Sequence, residues 1–199
     1  MSRTIDPELH RRNFRTVFAL GGLFLLPLLL SFWLYYGLHW RPLGTTNHGD
    51  LINPLRPLPD VTLPDADGGA RSHVLIGKWT LVYVGDGACD ANCRTTLVFM
   101  RQTRLSLNNE MTRVQRVLLA TAGCCDRVYL AGEHPGLLAL DASQAVAQPL
   151  LAQFPADGRA QALYVVDPLG NLMMRYDARL PPRGLLEDLK RLLQLSHIG

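Results

Sequence analysis

The stretch from residue 75 to residue 93 constrains the fold of this chain more than any other. It reads LIGKWTLVYVGDGACDANC. Residues 79–84 are β-branched, aromatic and continuously apolar, which is typical of a central strand buried on both faces. A turn with two glycines then delivers Cys89 and Cys93 to the start of a predicted helix. The sequence therefore predicts a buried strand, a cysteine-bearing turn and a helix in succession.

The spacing of Cys89 and Cys93 places both thiols on the same face of one helical turn. The positive end of the helix dipole favours the thiolate form at that position. Thiolates attack disulfides and bind soft metals such as Cu(I). Cys89 and Cys93 are therefore the candidate reactive residues. Asp86 in the preceding turn is either a proton relay or an ordinary turn-capping residue.

An uncharged apolar run covers residues 16–38. As a helix it is about 34 Å long, which is enough to cross a hydrocarbon core of roughly 30 Å. Trp33, Tyr35, Tyr36 and Trp40 gather at its far end, as an interfacial aromatic belt does. The bulky residues at this end favour an uncleaved membrane anchor over the alternative, a cleaved signal peptide.

Four arginines precede the apolar run, at Arg3, Arg11, Arg12 and Arg15. The positive-inside rule then places residues 1–15 in the cytoplasm as a short tail and the rest of the chain outside. We predict a single-pass protein of the inner (cytoplasmic) membrane, with its C-terminal domain in the periplasm. Cysteines in such a compartment can be oxidised.

The length of 199 residues suits one domain with appendages. The net charge of +3, without a run of Lys and Arg interleaved with aromatic residues, argues against nucleic-acid binding. Residues 39–55 are rich in Gly, Pro, Asn and Thr and lack periodicity, so we expect a linker there. The globular domain is expected over residues 56–199.

A second pair of cysteines, Cys124 and Cys125, follows the strand predicted at residues 114–121. Loops at the carboxyl ends of parallel strands share one edge of an open sheet, so all four sulfurs are expected at the same edge. Adjacent cysteines seldom bridge each other. The second pair is therefore either auxiliary to the first or simply one buried and one exposed thiol without a role.

The remaining predicted elements are two strands and a helix in the C-terminal part of the chain. We predict a third strand at residues 162–166, a turn with Pro168 at its second position, an antiparallel strand at residues 172–176 and a final helix at residues 184–195. Strand, cysteine turn, helix, strand, helix, hairpin and helix is the order of a thioredoxin-like domain. The fold class is therefore α/β, a central mixed sheet flanked by helices, with an N-terminal transmembrane helix.

With these elements in this order, the chain resembles the Sco/SenC family of membrane-anchored, thioredoxin-like proteins of cytochrome c oxidase assembly. The matching residues are Leu58-Pro59 with Asp65 and Gly68-Gly69, then GKWTLVY at residues 77–83, Cys89-x-x-x-Cys93, and LYVVDP at residues 163–168 with Gly170. The resemblance covers residues 57–195. The cysteine spacing is its most specific part, since most thioredoxin-like redox motifs have two intervening residues.

The resemblance implies a thiol–disulfide oxidoreductase that assists assembly of the oxidase copper site. In this interpretation Cys89 is the more exposed, attacking thiolate and Cys93 resolves the mixed disulfide. The alternative is a non-enzymatic metallochaperone that holds Cu(I) through both cysteines and delivers it to oxidase subunit II. The partner is then subunit II or another periplasmic thiol or copper protein. A third alternative is a relative that has lost the chemistry and scaffolds assembly.

The sequence departs from the family at the expected copper histidine. Counting back from Asp167-Pro168 places Arg159 at that position. A guanidinium stays protonated and cannot ligate a metal. Beside the thiols, its charge would lower their pKa and favour redox attack. A Cu(I) site would then depend on the first cysteine pair, with a sulfur of the second pair or of a methionine as a third soft ligand.

Overall fold

The computed structural model describes residues 7–38 and 46–199. The chain divides into two compact units, Met1–Thr45 and Thr46–Gly199. In the first unit the segment Asn13–Tyr36 is a helix long and apolar enough, by length and composition, to cross a membrane. A signal sequence meets the same criterion. The N-terminal apolar helix predicted from the sequence is thus present.

This helix, α1 (Pro7–Tyr36), extends further towards the N-terminus than the uncharged run. It therefore contains residues 7–15 of the predicted cytoplasmic tail. Pro27 lies inside it, and its described side chains are mostly exposed. Residues 1–6, and Trp40 of the predicted aromatic belt, lie outside the described residues.

The second unit is built on a six-stranded sheet. The strands of this unit are β1 (Asp50–Pro57), β2 (Leu63–Pro64), β3 (Ala70–Arg71), β4 (Trp79–Gly85), β5 (Val114–Ala120), β6 (Leu137–Asp141), β7 (Ala162–Val166) and β8 (Asn171–Asp177). The helices are α2 (Ala91–Leu105), α3 (Arg127–Glu133), α4 (Gln148–Leu151) and α5 (Arg183–Leu195), with 3-10 helices at Asn108–Arg113, Ala145–Ala147 and Arg159–Gln161.

The strand order in the sheet is β1-β8-β7-β4-β5-β6. β4, β5 and β6 run parallel, whereas β7 is antiparallel to β4, β8 to β7 and β1 to β8. β2 and β3 form a separate hairpin. The mixed sheet with flanking helices confirms the predicted thioredoxin-like fold.

The core explains why β4 is continuously apolar. All seven of its residues are buried, because apolar layers cover both faces of the sheet. One layer includes Leu97 and Met100 of α2 and Leu189 of α5. The other includes Leu150 of α4 and Phe154. The buried strand and the helix after it therefore form as the sequence predicts.

The predicted linker is wrong in its second half, because Asp50–Pro57 forms β1. This strand lies at the edge of the sheet and is exposed along most of its length, so its sequence carries no buried alternation. Pro54 is tolerated because an edge strand leaves one row of backbone groups unpaired. Residues 39–45 lie outside the described residues. The second unit begins at Thr46 rather than at residue 56.

A buried carboxylate attaches the start of this unit to α5. Asp188, only 5 % exposed, accepts hydrogen bonds from the backbone N–H groups of His48 at 2.7 Å and Gly49 at 3.1 Å, and from the Tyr176 hydroxyl at 2.8 Å. Burial acts to raise the pKa of Asp188, but these hydrogen bonds outweigh it and hold the pKa below its usual value. The segment before β1 is therefore part of the globular unit.

Candidate redox site

The carboxyl ends of β4 and β5 lie side by side and carry all four cysteines. The strands pair in parallel, with Gly85 opposite Ala120. The backbone N–H and the hydroxyl of Thr121 both donate to the Gly85 carbonyl, at 2.8 Å and 2.9 Å. Because each cysteine pair follows one of these strands, the predicted location of both pairs at one edge is confirmed.

The first pair, called here the inner pair, is formed by Cys89 and Cys93. Their sulfurs are bonded, and their Cα atoms are 4.9 Å apart. Asp90 caps α2, and its carboxylate accepts a hydrogen bond from the Cys93 N–H at 2.9 Å. Cys93 therefore lies in the first helical turn. Cys89 precedes the cap with a φ of 52°, so only one of the two predicted helical positions is inside the helix.

Both cysteines of the inner pair are buried. Cys89 is 4 % exposed and Cys93 2 %. In this oxidised form both are shielded from solvent, so the assignment of Cys89 as the more exposed, attacking residue stays a prediction. The disulfide packs into the same apolar layer as Tyr83 and Leu97, where a sulfur–sulfur bond leaves no polar group without a partner.

The second pair, called here the outer pair, is formed by Cys124 and Cys125. The structure bonds their sulfurs, although adjacent cysteines seldom bridge each other. None of the four cysteines is free. Both residues of the outer pair are partly buried, and both pack against the apolar layer that holds the inner pair.

The loops that carry the two pairs are in direct contact through glycine. Gly87 has a φ of 86°, and a Cβ atom at this position would collide with the carbonyl oxygens of Gly123 and Ala122. Gly87 precedes Cys89 by two residues, and Gly123 directly precedes the outer pair. A residue without a side chain is therefore required where the two cysteine loops meet.

Asp86 and Arg159 occupy ordinary structural positions. An Asp86 carboxylate oxygen accepts a hydrogen bond from the Cys89 N–H at 3.3 Å, which is the turn-capping role. The Arg159 guanidinium donates to the carbonyls of Phe154 at 2.8 Å and Pro155 at 3.4 Å. The arginine that reaches the inner pair is instead Arg94, whose Nε donates to the Cys89 carbonyl at 3.2 Å.

Sequence reasoning missed the role of Arg94, which also connects α2 to α3. Its guanidinium lies 4.7 Å from the ring centroid of Tyr129, a cation–π contact. The Tyr129 hydroxyl lies 3.0 Å from Nε2 of His134, which is 1 % exposed. Burial raises the pKa of Tyr129 and lowers that of His134. The position of Arg94 next to Cys93 in the first helical turn was the available signal.

Tyr83 fixes the loop in which the family histidine was expected. Its hydroxyl donates to the Ala160 carbonyl at 2.8 Å. Burial, with smaller contributions from Asp90 and Asp86, raises the pKa of Tyr83 to about 12. The phenol therefore stays protonated at neutral pH and holds the 3-10 helix Arg159–Gln161 against β4.

The donor atoms at this edge are suited to a soft metal only after reduction. Within residues 7–38 and 46–199, no group of three or more His, Cys, Asp or Glu side chains is arranged to hold a metal ion. Two thiolates from a reduced inner pair are the donor type that Cu(I) prefers. The residues present thus fit a two-sulfur Cu(I) site, and a third soft ligand stays a prediction.

A cavity of about 470 Å³ opens one helical turn along α2 from Cys93. Its apolar side is formed by Phe99, Leu163 and Leu185, and its polar side includes Thr96 and Tyr176. Leu163 pairs with Tyr83 of the central strand. The cavity therefore lies on the α2 face of the sheet, and neither Cys89 nor Cys93 lines it.

The fold and the paired cysteines at the end of its central parallel strand define the second unit as a thioredoxin-like domain with a C-x-x-x-C motif. The model of one family, described as the transmembrane-like, thioredoxin-like C-terminal domain, matches residues 79–196. The chain belongs to this family. No curated protein sequence matches this chain.

Solved structures of Sco proteins have the same fold. Yeast Sco1 with copper bound is 18 % identical, with a TM-score of 0.61 over 72 % of this chain and 95 % of that chain. Apo Sco1 of Thermus thermophilus is 20 % identical, with a TM-score of 0.58 over 76 % and 99 %. BsSco, described with a disulfide switch, is 16 % identical, with a TM-score of 0.52 over 72 % and 96 %. The resemblance to Sco/SenC proteins is therefore confirmed as a likeness of fold.

Proposed function

We propose that this chain is a membrane-anchored thiol–disulfide oxidoreductase that assists assembly of the copper site of cytochrome c oxidase through Cys89 and Cys93. The observation that carries this proposal is the bonded inner pair at the N-terminus of α2. Cysteines at such a position gain thiolate character when reduced, because the helix dipole and the free N–H groups stabilise negative charge.

The chemistry is a reversible two-electron exchange. Reduced Cys89, as a thiolate, attacks a disulfide of the client and forms a mixed disulfide with it. Cys93 then attacks this bond, which releases the client as a dithiol and leaves Cys89 bonded to Cys93. The client gains two electrons and two protons, and the product is the oxidised form that the structure describes.

The apolar helix and the likeness of fold support the proposed location and client. The helix Asn13–Tyr36 would hold the domain at the inner membrane, with the arginine-rich N-terminus in the cytoplasm and the domain in the periplasm. BsSco belongs to a family of cytochrome c oxidase assembly proteins. Oxidase subunit II, or another periplasmic thiol or copper protein, is the client that this likeness supports.

A second candidate function is Cu(I) delivery without catalysis. It is favoured by the likeness to yeast Sco1 with copper bound. In this case the metal is the cargo, and the thiolates of Cys89 and Cys93 would hold it. Arg159, placed on the carbonyls of Phe154 and Pro155, contributes no lone pair to such a site. We therefore rank redox exchange first.

One titration tests both candidates. The full-length chain is equilibrated in detergent with mixtures of reduced and oxidised glutathione, and the thiols at Cys89 and Cys93 are counted by alkylation and peptide mass. We expect a reversible two-electron transition of this pair, and different trapped partners for Cys89→Ser and Cys93→Ser.

Identical trapping by the two variants, or a pair that never changes state, would contradict the redox role. Copper is measured on the same reduced samples against a Cu(I) chelator, with Cys89→Ser/Cys93→Ser as the control. Copper affinity equal to that of a histidine-containing Sco protein, in the absence of exchange, would move the conclusion to copper delivery.

A further inference from the structure

The two cysteine pairs differ in access to other proteins. The sulfurs of the inner pair belong to residues that are 4 % and 2 % exposed. The outer pair is only partly buried, and its neighbours Gly123 and Asp126 are exposed. Thiol–disulfide exchange requires the attacking thiolate to reach a sulfur atom. In the oxidised form, a protein reductant therefore finds the outer pair more accessible.

The two pairs are also connected within the domain. The loops touch at Gly87 and Gly123, and the hydrogen bonds from Thr121 to Gly85 join the strand ends from which the loops leave. Cys124 and Cys125 pack against the apolar layer that contains the inner pair. The two cysteine pairs therefore lie on loops that are in direct contact and face one apolar layer.

We propose that Cys124 and Cys125 receive reducing equivalents from an external protein dithiol and pass them to the buried disulfide between Cys89 and Cys93. This inference rests on the proposed function, since it assigns a route by which the oxidised inner pair is reduced again. It gives the outer pair a catalytic role as the entry point for electrons, because in the oxidised form its residues are less buried than Cys89 and Cys93.

The electrons and protons balance over two exchanges. In the first, the partner dithiol reduces the outer disulfide, becomes a disulfide itself, and leaves Cys124 and Cys125 as thiols. In the second, one outer thiolate attacks the inner disulfide and forms a bond between the two loops. The other outer thiolate breaks that bond, which restores the outer disulfide and leaves Cys89 and Cys93 with two electrons and two protons.

The test compares a large and a small reductant on the full-length chain. Reduced thioredoxin serves as the protein dithiol, and a small phosphine serves as a reductant that does not need a protein-sized approach. In Cys124→Ser/Cys125→Ser we expect reduction of the inner pair by thioredoxin to slow at least about tenfold, because the accessible sulfurs are gone. Reduction by the phosphine should change less than about twofold.

Ala122→Ser, an exposed change in the same loop, is the matched control and should behave like the wild type.

A second variant detects the intermediate directly and does not depend on rates. Cys93→Ser/Cys125→Ser keeps one cysteine in each loop, and oxidised glutathione should convert Cys89 and Cys124 into a disulfide seen by peptide mass. Two glutathione adducts without this bond would overturn the relay. Equal thioredoxin rates for wild type and Cys124→Ser/Cys125→Ser would overturn the relay alone. An inner pair that resists both reductants in the wild type would overturn the proposed function as well.

Discussion

The loops after β4 and β5 occupy equivalent places in the sheet but treat their cysteines differently. Each follows a buried parallel strand, and in each an aspartate caps the next helix, Asp90 in one and Asp126 in the other. The helix after the inner pair has 15 residues, whereas the helix after the outer pair has 7. The inner pair is buried, and the outer pair is only partly buried.

This comparison indicates that the sheet topology determines the edge at which the cysteines lie. The helix that follows each pair determines how far its sulfurs are buried. Cys93, Leu97 and Met100 recur at helical spacing along α2, and all three are buried. The apolar stripe of a long helix thus carries Cys93 into the core. The outer pair precedes a short helix in which Leu130 is the only buried residue, so no comparable stripe draws its sulfurs inward.

The largest effect is expected at the contact between the loops. Gly87→Ala should lower the free energy of unfolding by about 3 kcal/mol, because the new Cβ meets fixed carbonyl groups and the residue has a left-handed φ. Gly68→Ala is the matched control, since Gly68 has a φ of 90° but open space around it, and it should cost about 1 kcal/mol. The measurement is urea unfolding followed by circular dichroism. Equal losses in the two variants would show that the loops do not press on each other.

The fold could be predicted because its central elements carry strong local patterns. β4 is apolar at every position, and the turn before β8 contains a proline and a glycine, so pattern and chemistry agree there. β1 could not be predicted in the same way. Its pairing partner, β8, lies far away in sequence, and an exposed edge strand shows neither burial nor alternation. Its proline and asparagine residues are also those of a linker.

The location of the two cysteine pairs could be predicted, but their burial could not. Cys89 and Cys93 were identifiable from their spacing, and the shared edge of the two pairs followed from parallel strands. The contact of Arg94 with the Cys89 carbonyl depends on the exact path of the turn, and counting along the chain instead selected Arg159. Burial of the inner disulfide depends on how α2 packs on the sheet, which is a tertiary property that spacing alone does not fix.

A smaller effect should distinguish the two capping aspartates. Asp90→Ala removes the acceptor for the Cys93 N–H at the start of a long, packed helix, and should cost about 1 kcal/mol of stability in the oxidised form. Asp126→Ala removes the corresponding acceptor for the Tyr129 N–H of the short helix, and should cost about half as much. Urea midpoints of the two variants and the wild type provide the comparison. A larger loss for Asp126→Ala would mean that the outer loop, not the inner one, is the better anchored.

The smallest expected effect is a pH dependence of folding stability that arises from His134, which follows the helix after the outer pair. Burial, reinforced by the charges of Arg116 and Arg101 and opposed by Glu133, lowers the pKa of His134 in the folded state. The unfolded chain therefore binds more protons than the folded chain once the pH falls below the unfolded pKa of about 6.5, and stability should decline from there down to the folded pKa. Thermal unfolding of wild type and His134→Gln at neutral and mildly acidic pH measures this decline, which should be smaller in the variant. The same acid-induced loss in both would assign the pH dependence to other groups and leave His134 as a neutral packing residue against Tyr129.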